Sequence, residues 1–196
     1  MDQIRTITST EISEGLFHAS KHIESRFLYD ETGDRLFQKI MKLPEYYLTR
    51  SEYEIFFTQS KQISNLLTEG KAHIFELGAG DGTKTRLLID QLIADDKNFI
   101  YTPIDISANA IELLKQNFSD ILGSIDLNPY IGDYFEALDT FKHEAGQKII
   151  LFLGSNIGNF KPADAADFLK KVHESMNMGD YMIIGADLVK SPDIIE

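Results

Sequence analysis

Ile74-Phe75-Glu76-Leu77-Gly78-Ala79-Gly80-Asp81-Gly82-Thr83-Lys84-Thr85 decides how the chain is read. An apolar run ends in an acid, glycines follow at alternate positions, and a helical pattern then begins. That order describes a buried strand, a tight turn without side chains and a helix N-terminus. Glycine lets a ligand come close to the backbone, and the first N–H groups of the helix have no intrahelical partner. The first expectation is a nucleotide-like ligand at the end of the first strand of an α/β sheet.

Downstream, strand and helix patterns alternate. Strand one covers Ala72 to Leu77 and helix one Lys84 to Ala94, with Leu87, Leu88, Gln91 and Leu92 on one side. Strand two runs from Asn98 to Asp105, and helix two from Ser107, a candidate N-cap, to Phe118. Strand three, Ile125 to Ile131, is interrupted by Pro129, and a short helix follows over Tyr134 to Phe141. Lys148 to Leu153 is apolar enough for a strand covered on both faces. A helix over Pro162 to Met176 and a strand over Asp180 to Asp187 complete the pattern. Such alternation predicts a parallel sheet with right-handed crossovers. Leu188 to Glu196 reads as the start of another helix. A doubly wound sheet usually has further strands, so two expectations follow: the chain is a piece of a longer one, or another chain covers its last edge, a second copy included.

Upstream, residues 1–70 read as a helical region beside a sheet domain over 71–196. Glu11 to Ala19 is weakly helical, and Ser25 to Asp30 is an aromatic connector. Leu36, Phe37, Ile40, Met41 and Leu43 have helical spacing over Asp34 to Leu43, and Pro44 stops that helix. Thr49 and Glu52 fit a capping box for a helix over Arg50 to Leu67, with Tyr53, Phe56, Phe57, Ser60, Ile63, Leu66 and Leu67 on its buried side.

The 196 residues fit one domain with a helical appendage. Nineteen basic against 31 acidic residues leave a net charge of −12 and no basic run, which argues against a nucleic-acid partner. Without cysteine there is no disulfide framework and no thiolate metal site, and no metal is expected. No apolar run approaches the ~20 residues that span a bilayer, and the N-terminus has no apolar targeting core. A cytoplasmic protein without membrane contact is the default expectation.

Three readings compete for the glycine turn. A dinucleotide fingerprint wants G-x-G-x-x-G, but Gly78, Gly80 and Gly82 put the third glycine one residue early. A phosphate loop, G-x-x-x-x-G-K-[ST], fails only where Thr83 replaces its second glycine. Against a triphosphate stands the carboxylate of Glu76. The third reading is S-adenosylmethionine (SAM), whose sulfonium and ammonium favour nearby acids, so Glu76 with Gly78 and Gly80 is expected to contact it. An acid should then end strand two to accept from the ribose hydroxyls, and Asp105 stands there. Asp133 and Tyr134 after strand three suit the adenine, and Lys84 suits the cofactor's carboxylate. Asp105 and Asp133 also suit helix N-caps. Gly154-Ser155-Asn156-Ile157-Gly158-Asn159-Phe160 ends the fourth strand and should face the reactive end, with Asn156 and Asn159 offering amides. Asn128-Pro129-Tyr130 resembles the Asn-Pro-Pro-aromatic loop of amino-group methyltransferases, but it lacks a proline and lies at the wrong strand.

Five segments together resemble the histidine-specific, SAM-dependent methyltransferase family. They are Phe27-Leu28-Tyr29-Asp30, Leu43-Pro44-Glu45-Tyr46-Tyr47-Leu48-Thr49-Arg50, Glu76-Leu77-Gly78-Ala79-Gly80 with Lys84-Thr85-Arg86, Phe152 to Phe160, and Gly185-Ala186-Asp187-Leu188-Val189-Lys190. That family includes the enzymes that trimethylate the α-amino group of histidine to hercynine on the route to ergothioneine, and fungal relatives that methylate a prenylated tryptophan. The resemblance implies a Rossmann-like class I methyltransferase sheet, here incomplete at its C-terminal edge. It implies SAM contacts at Gly78, Lys84, Asp105, Asp133 and Tyr134, the last where the family more often has Phe. It implies substrate contacts at Tyr46 and Asn159, with Tyr29 close to the substrate side chain. Asn156 replaces a residue that is usually Thr. Family members continue well past the Asp187-Leu188-Val189-Lys190 segment with pieces that read the substrate. The expected activity is N-methylation of a free amino acid, L-histidine first. The alternatives are a SAM-binding fragment that needs a partner and a phosphate-loop nucleotide binder.

Overall fold

The computed structural model describes residues 9–23, 25–28, 30–68, 70–142 and 144–191. Three helices come first, α1 (Ser9–Phe17), α2 (Glu31–Ile40) and α3 (Leu48–Ser64), with a 3-10 turn over Ser25–Leu28. The sheet region then runs β1 (Ala72–Leu77), α4 (Thr85–Ala94), β2 (Phe99–Asp105), α5 (Ala108–Asn117), β3 (Asp126–Leu127), β4 (Tyr130–Ile131), α6 (Tyr134–Phe141), β5 (Gln147–Phe152), α7 (Pro162–Ser175) and β6 (Tyr181–Ile184).

All pairings are parallel, in the order β3-β2-β1-β5-β6, with β4 also on β2. The chain starts in the middle at β1, winds outward to β2 and β3, then crosses back to β5. The reversal lies between β1 and β5, where open α/β sheets bind ligands beyond the strand carboxyl ends. The expected third strand is two short pieces on either side of Asn128 and Pro129. Tyr101 and Asp105 give their carbonyls to Asn128 N and Gly132 N on that edge. Pro103, midway between them, faces the same edge at the break, so its missing N–H removes no ladder bond.

Strand alternation splits the core into two layers. Ala72, Ile74, Tyr101, Ile149 and Leu151 face Phe56 of α3, Leu88, Ile89 and Leu92 of α4, and Leu114 of α5. Phe75, Leu77, Ile104, Ile150 and Phe152 face Leu138 and Phe141 of α6, and Phe168 and Val172 of α7. Beneath the sheet, Lys148 is fully buried with Asp180, Nζ to Oδ2 at 3.1 Å.

Several expectations change. Asp30, not a residue near Asp34, starts α2, because its carboxylate accepts from Gly33 N at 2.7 Å. The Thr49–Glu52 capping box does not form: α3 begins at Leu48 behind Tyr47 without a side-chain cap, and Thr49 already lies inside it. Tyr53 and Phe57, expected inside, are exposed, while Phe56, Ser60 and Leu67 are buried. Residues 188–191 are not helical, and the rest of that expected helix lies outside the described residues. No described helix is long and apolar enough to cross a membrane.

Candidate functional site

The candidate site lies at the carboxyl ends of the strands, on the loops after β1, β2 and β5. After β1, Gly78, Gly80 and Gly82 have φ of 74°, 57° and 70°, the left-handed region that side chains rarely adopt. Gly82 serves packing, since a Cβ there would press into Phe118 and Leu114 at 2.8 and 2.9 Å. Gly78 serves close approach: a Cβ would sit 2.8 Å from both Asn156 Nδ2 and Tyr134 OH. Around Gly80 a Cβ would meet nothing within 4 Å. So the backbone at Gly80 fronts open space, which suits a ligand lying against it.

Asp105 ends β2 with its side chain turned back to the glycine turn. Oδ2 accepts from Gly80 N and Oδ1 from Ser107 N, each at 2.9 Å. Burial pushes its pKa up against the pull of these backbone donors. Ser107 caps α5 by accepting from Ala110 N. Asp133 caps α6, accepting from Phe135 N at 2.8 Å. Tyr134, one residue on, stands edge-on to Phe152 with ring centroids 5.7 Å apart. Gly78, Gly80, Lys84, Asp105 and Tyr134 therefore share one edge of the sheet.

Glu76 is placed differently from the expectation. Along β1 it falls on the same face as Ala72 and Ile74, beneath the first turn of α4. It is 1% exposed, and its carboxylate accepts from Thr85 Oγ1 at 2.6 Å and from the Tyr101 hydroxyl. Burial lifts its pKa from 4.5 to about 7, against those two donors. Glu76 braces the glycine turn from below and does not open onto the candidate site.

Lys84 immediately precedes α4 and pairs with Glu52 of α3. The other oxygen of Glu52 accepts from Gly154 N at 2.7 Å. The capping-box reading had hidden this residue: an acid three residues after Thr looks the same in one dimension whichever way it points. Two more contacts bring the helices to the candidate site. Gln38 of α2 donates to Asp81 Oδ2 at 3.2 Å, and Asp34 accepts from Ser107 Oγ and from Asn109 Nδ2.

The expected substrate residues are less gathered. Tyr46 stands edge-on to Phe37, 5.9 Å between centroids. Asn159 is exposed at the end of a 3-10 turn over Asn156–Asn159. Tyr29 lies outside the described residues. Tyr47 is the tyrosine that reaches across: its hydroxyl donates to Asp187 and accepts from Lys190, beyond β6. The Lys190 hydrogen bond, with a smaller one from Tyr47, holds the Asp187 carboxyl below its usual range. Asp187 N in turn donates to Ser155 Oγ at 3.1 Å. This ties the loop after β5 to the end of β6.

The chain is similar to known proteins over most of its length. A family model described as "Histidine-specific methyltransferase, SAM-dependent" matches residues 8–196. The chain is 34% identical over 180 residues to a histidine N-alpha-methyltransferase from Mycolicibacterium smegmatis, covering 92% of this chain and 55% of that protein. It is 33% identical over 175 residues to ergothioneine biosynthesis protein 1 of Neurospora crassa, covering 88% of this chain and 20% of that protein. The chain thus spans about half the length of its bacterial relative. Among solved structures, a putative S-adenosyl-L-methionine-dependent methyltransferase from Methanococcus maripaludis superposes with a TM-score of 0.51 at 15% identity, over 81% of this chain and 64% of that one. At that identity the likeness speaks for the fold, a class I methyltransferase sheet.

Proposed function

The chain belongs to the histidine-specific, SAM-dependent methyltransferase family, and on that premise we propose that it is an N-methyltransferase acting on the α-amino group of a free amino acid, L-histidine first. The observation that carries this reading is the pairing of Asp105 with the Gly80 N–H beside open space at the switch between β1 and β5. Open α/β sheets bind ligands at this position, and the donor set there supports SAM. Asp105 suits the ribose hydroxyls, Lys84 the carboxylate, Asp133 and Tyr134 the adenine, while Gly78 and Gly80 let it approach. A triphosphate fits poorly, because the Asp105 carboxylate lies against Gly80 N and that of Glu52 already holds Lys84.

When bound, the cofactor supplies an electrophilic methyl group on a sulfonium, and the acceptor is a neutral amine. The chain's own work is then orientation and exclusion of water, without a covalent intermediate. Asn159 and Tyr46 would hold the amino acid, and Tyr47, fixed by Asp187 and Lys190, would hold the segment that carries Tyr46.

Calorimetry with SAM and S-adenosylhomocysteine, followed by mass spectrometry of L-histidine and L-tryptophan after incubation with SAM, tests the reading. Binding with successive methyl additions to histidine is the expected result. Binding without transfer to any amino acid supports the second reading, a cofactor-binding unit whose acceptor pocket is completed elsewhere. No binding at millimolar cofactor overturns both.

A further inference from the structure

We propose that Glu52 is a positioning residue that sets Lys84 for the amino-acid end of the cofactor and holds the loop at Gly154 beside it; the inference rests on the methyltransferase reading above. Three separate features seat its carboxylate. One oxygen takes the Lys84 ammonium. The other accepts from Gly154 N at 2.7 Å. The wall behind it is Gly185, where a Cβ would collide with Glu52 Oε1. The Glu52 side chain is 12% exposed and that of Lys84 20%, so the pair is largely shielded from solvent.

Lysine has a flexible four-carbon stem and three donors. One donor fixed on Glu52 leaves two for a ligand, and the stem is ordered before the ligand arrives, which lowers the entropic cost of binding. The neighbours of Glu52 are both donors, so both of its oxygens must accept. A glutamine there has only one oxygen, and its amide N–H would face either Lys84 or Gly154. Glu52 sits on α3, the helix that directly follows Tyr46 and Tyr47. One carboxylate thus joins the substrate segment, the first turn behind the glycine loop, and the loop after β5. Gly185 explains itself in the same way: the residue that follows β6 must carry no side chain where the carboxylate lies.

The test is calorimetric titration of the full chain with S-adenosylhomocysteine and with 5′-methylthioadenosine, which lacks the amino-acid end. Glu52→Gln should weaken S-adenosylhomocysteine about tenfold, the size of one charge-assisted hydrogen bond, and leave 5′-methylthioadenosine within about twofold. Gly185→Ala keeps the acid but displaces it, and should give the same pattern. In a Lys84→Met background, Glu52→Gln should add less than about twofold, because coupled residues are not additive. Equal losses for the two ligands, or losses that multiply in the double variant, overturn the proposal and assign Glu52 a structural role. If the wild-type chain binds neither ligand, the methyltransferase reading itself fails and this proposal falls with it.

Discussion

Phe152 on β5 is completely buried, whereas Phe57 on α3 is 72% exposed. The contrast extends to the regions that carry them. From β1 onward, apolar residues fill both layers of the sheet. In the helical region, Phe56 and Leu67 reach the core, but Leu36, Phe37, Ile40, Tyr53 and Phe57 stay exposed. At the ligand edge the contacts that hold the helices are polar: Gln38 on Asp81, Asp34 on Ser107 and Asn109, Glu52 on Lys84 and Gly154, and Tyr47 on Asp187. All these anchors lie at the carboxyl ends of the strands. Burial holds the sheet together, and a set of directional contacts holds the helices over the ligand edge, where small energies suffice to change geometry.

Variants can break or sharpen that contrast. The largest effect belongs to the sheet: Phe152→Ala opens a cavity against Phe168, Tyr134 and Phe160 and should cost about 3–5 kcal/mol by denaturant titration. Next is Glu76→Gln. A carboxyl raised to about 7 when folded favours the native state at low pH, and that contribution is lost as pH rises through about 7. The variant should therefore be more stable than wild type above neutrality, on the order of 1–3 kcal/mol, with the gap closing toward pH 4.5. Melting temperatures across that pH range check the sign. Asp34→Ala removes the anchor of α2 and should cost about 1 kcal/mol, seen as faster amide exchange in α2 with the sheet unchanged. The smallest effect belongs to the exposed face, where Phe57→Ser should stay within about 0.5 kcal/mol; a large loss there would mean the helical region is held by burial after all.

The same contrast explains what the sequence disclosed. Ala72–Leu77 and Tyr134–Phe141 are the elements expected from pattern, to the residue. A strand covered on both faces and a helix behind an Asp cap announce themselves locally. The spacing of Gly78 and Gly80, with Asp105 at the end of β2, was legible because fold geometry repeats it. Glu76 was misread because an acid at a strand end reads as a ligand contact until alternation is followed; it then falls beneath α4 with Thr85 and Tyr101. Glu52 was misread because its partners stand 32 and 102 residues away. The exposed Tyr53 and Phe57 of α3 were misread for a related reason: helical periodicity shows which residues share a face, not what lies against it.

The central claim is that the edge between β1 and β5, with Asp105 beside Gly80, binds SAM. Titration of wild type and Asp105→Ala with S-adenosylhomocysteine tests it most directly. The account predicts saturable binding to the wild type and a loss of about a hundredfold or more in the variant, the size of two hydrogen bonds to a charged group, with the melting transition retained. Equal affinity in the two proteins would contradict it.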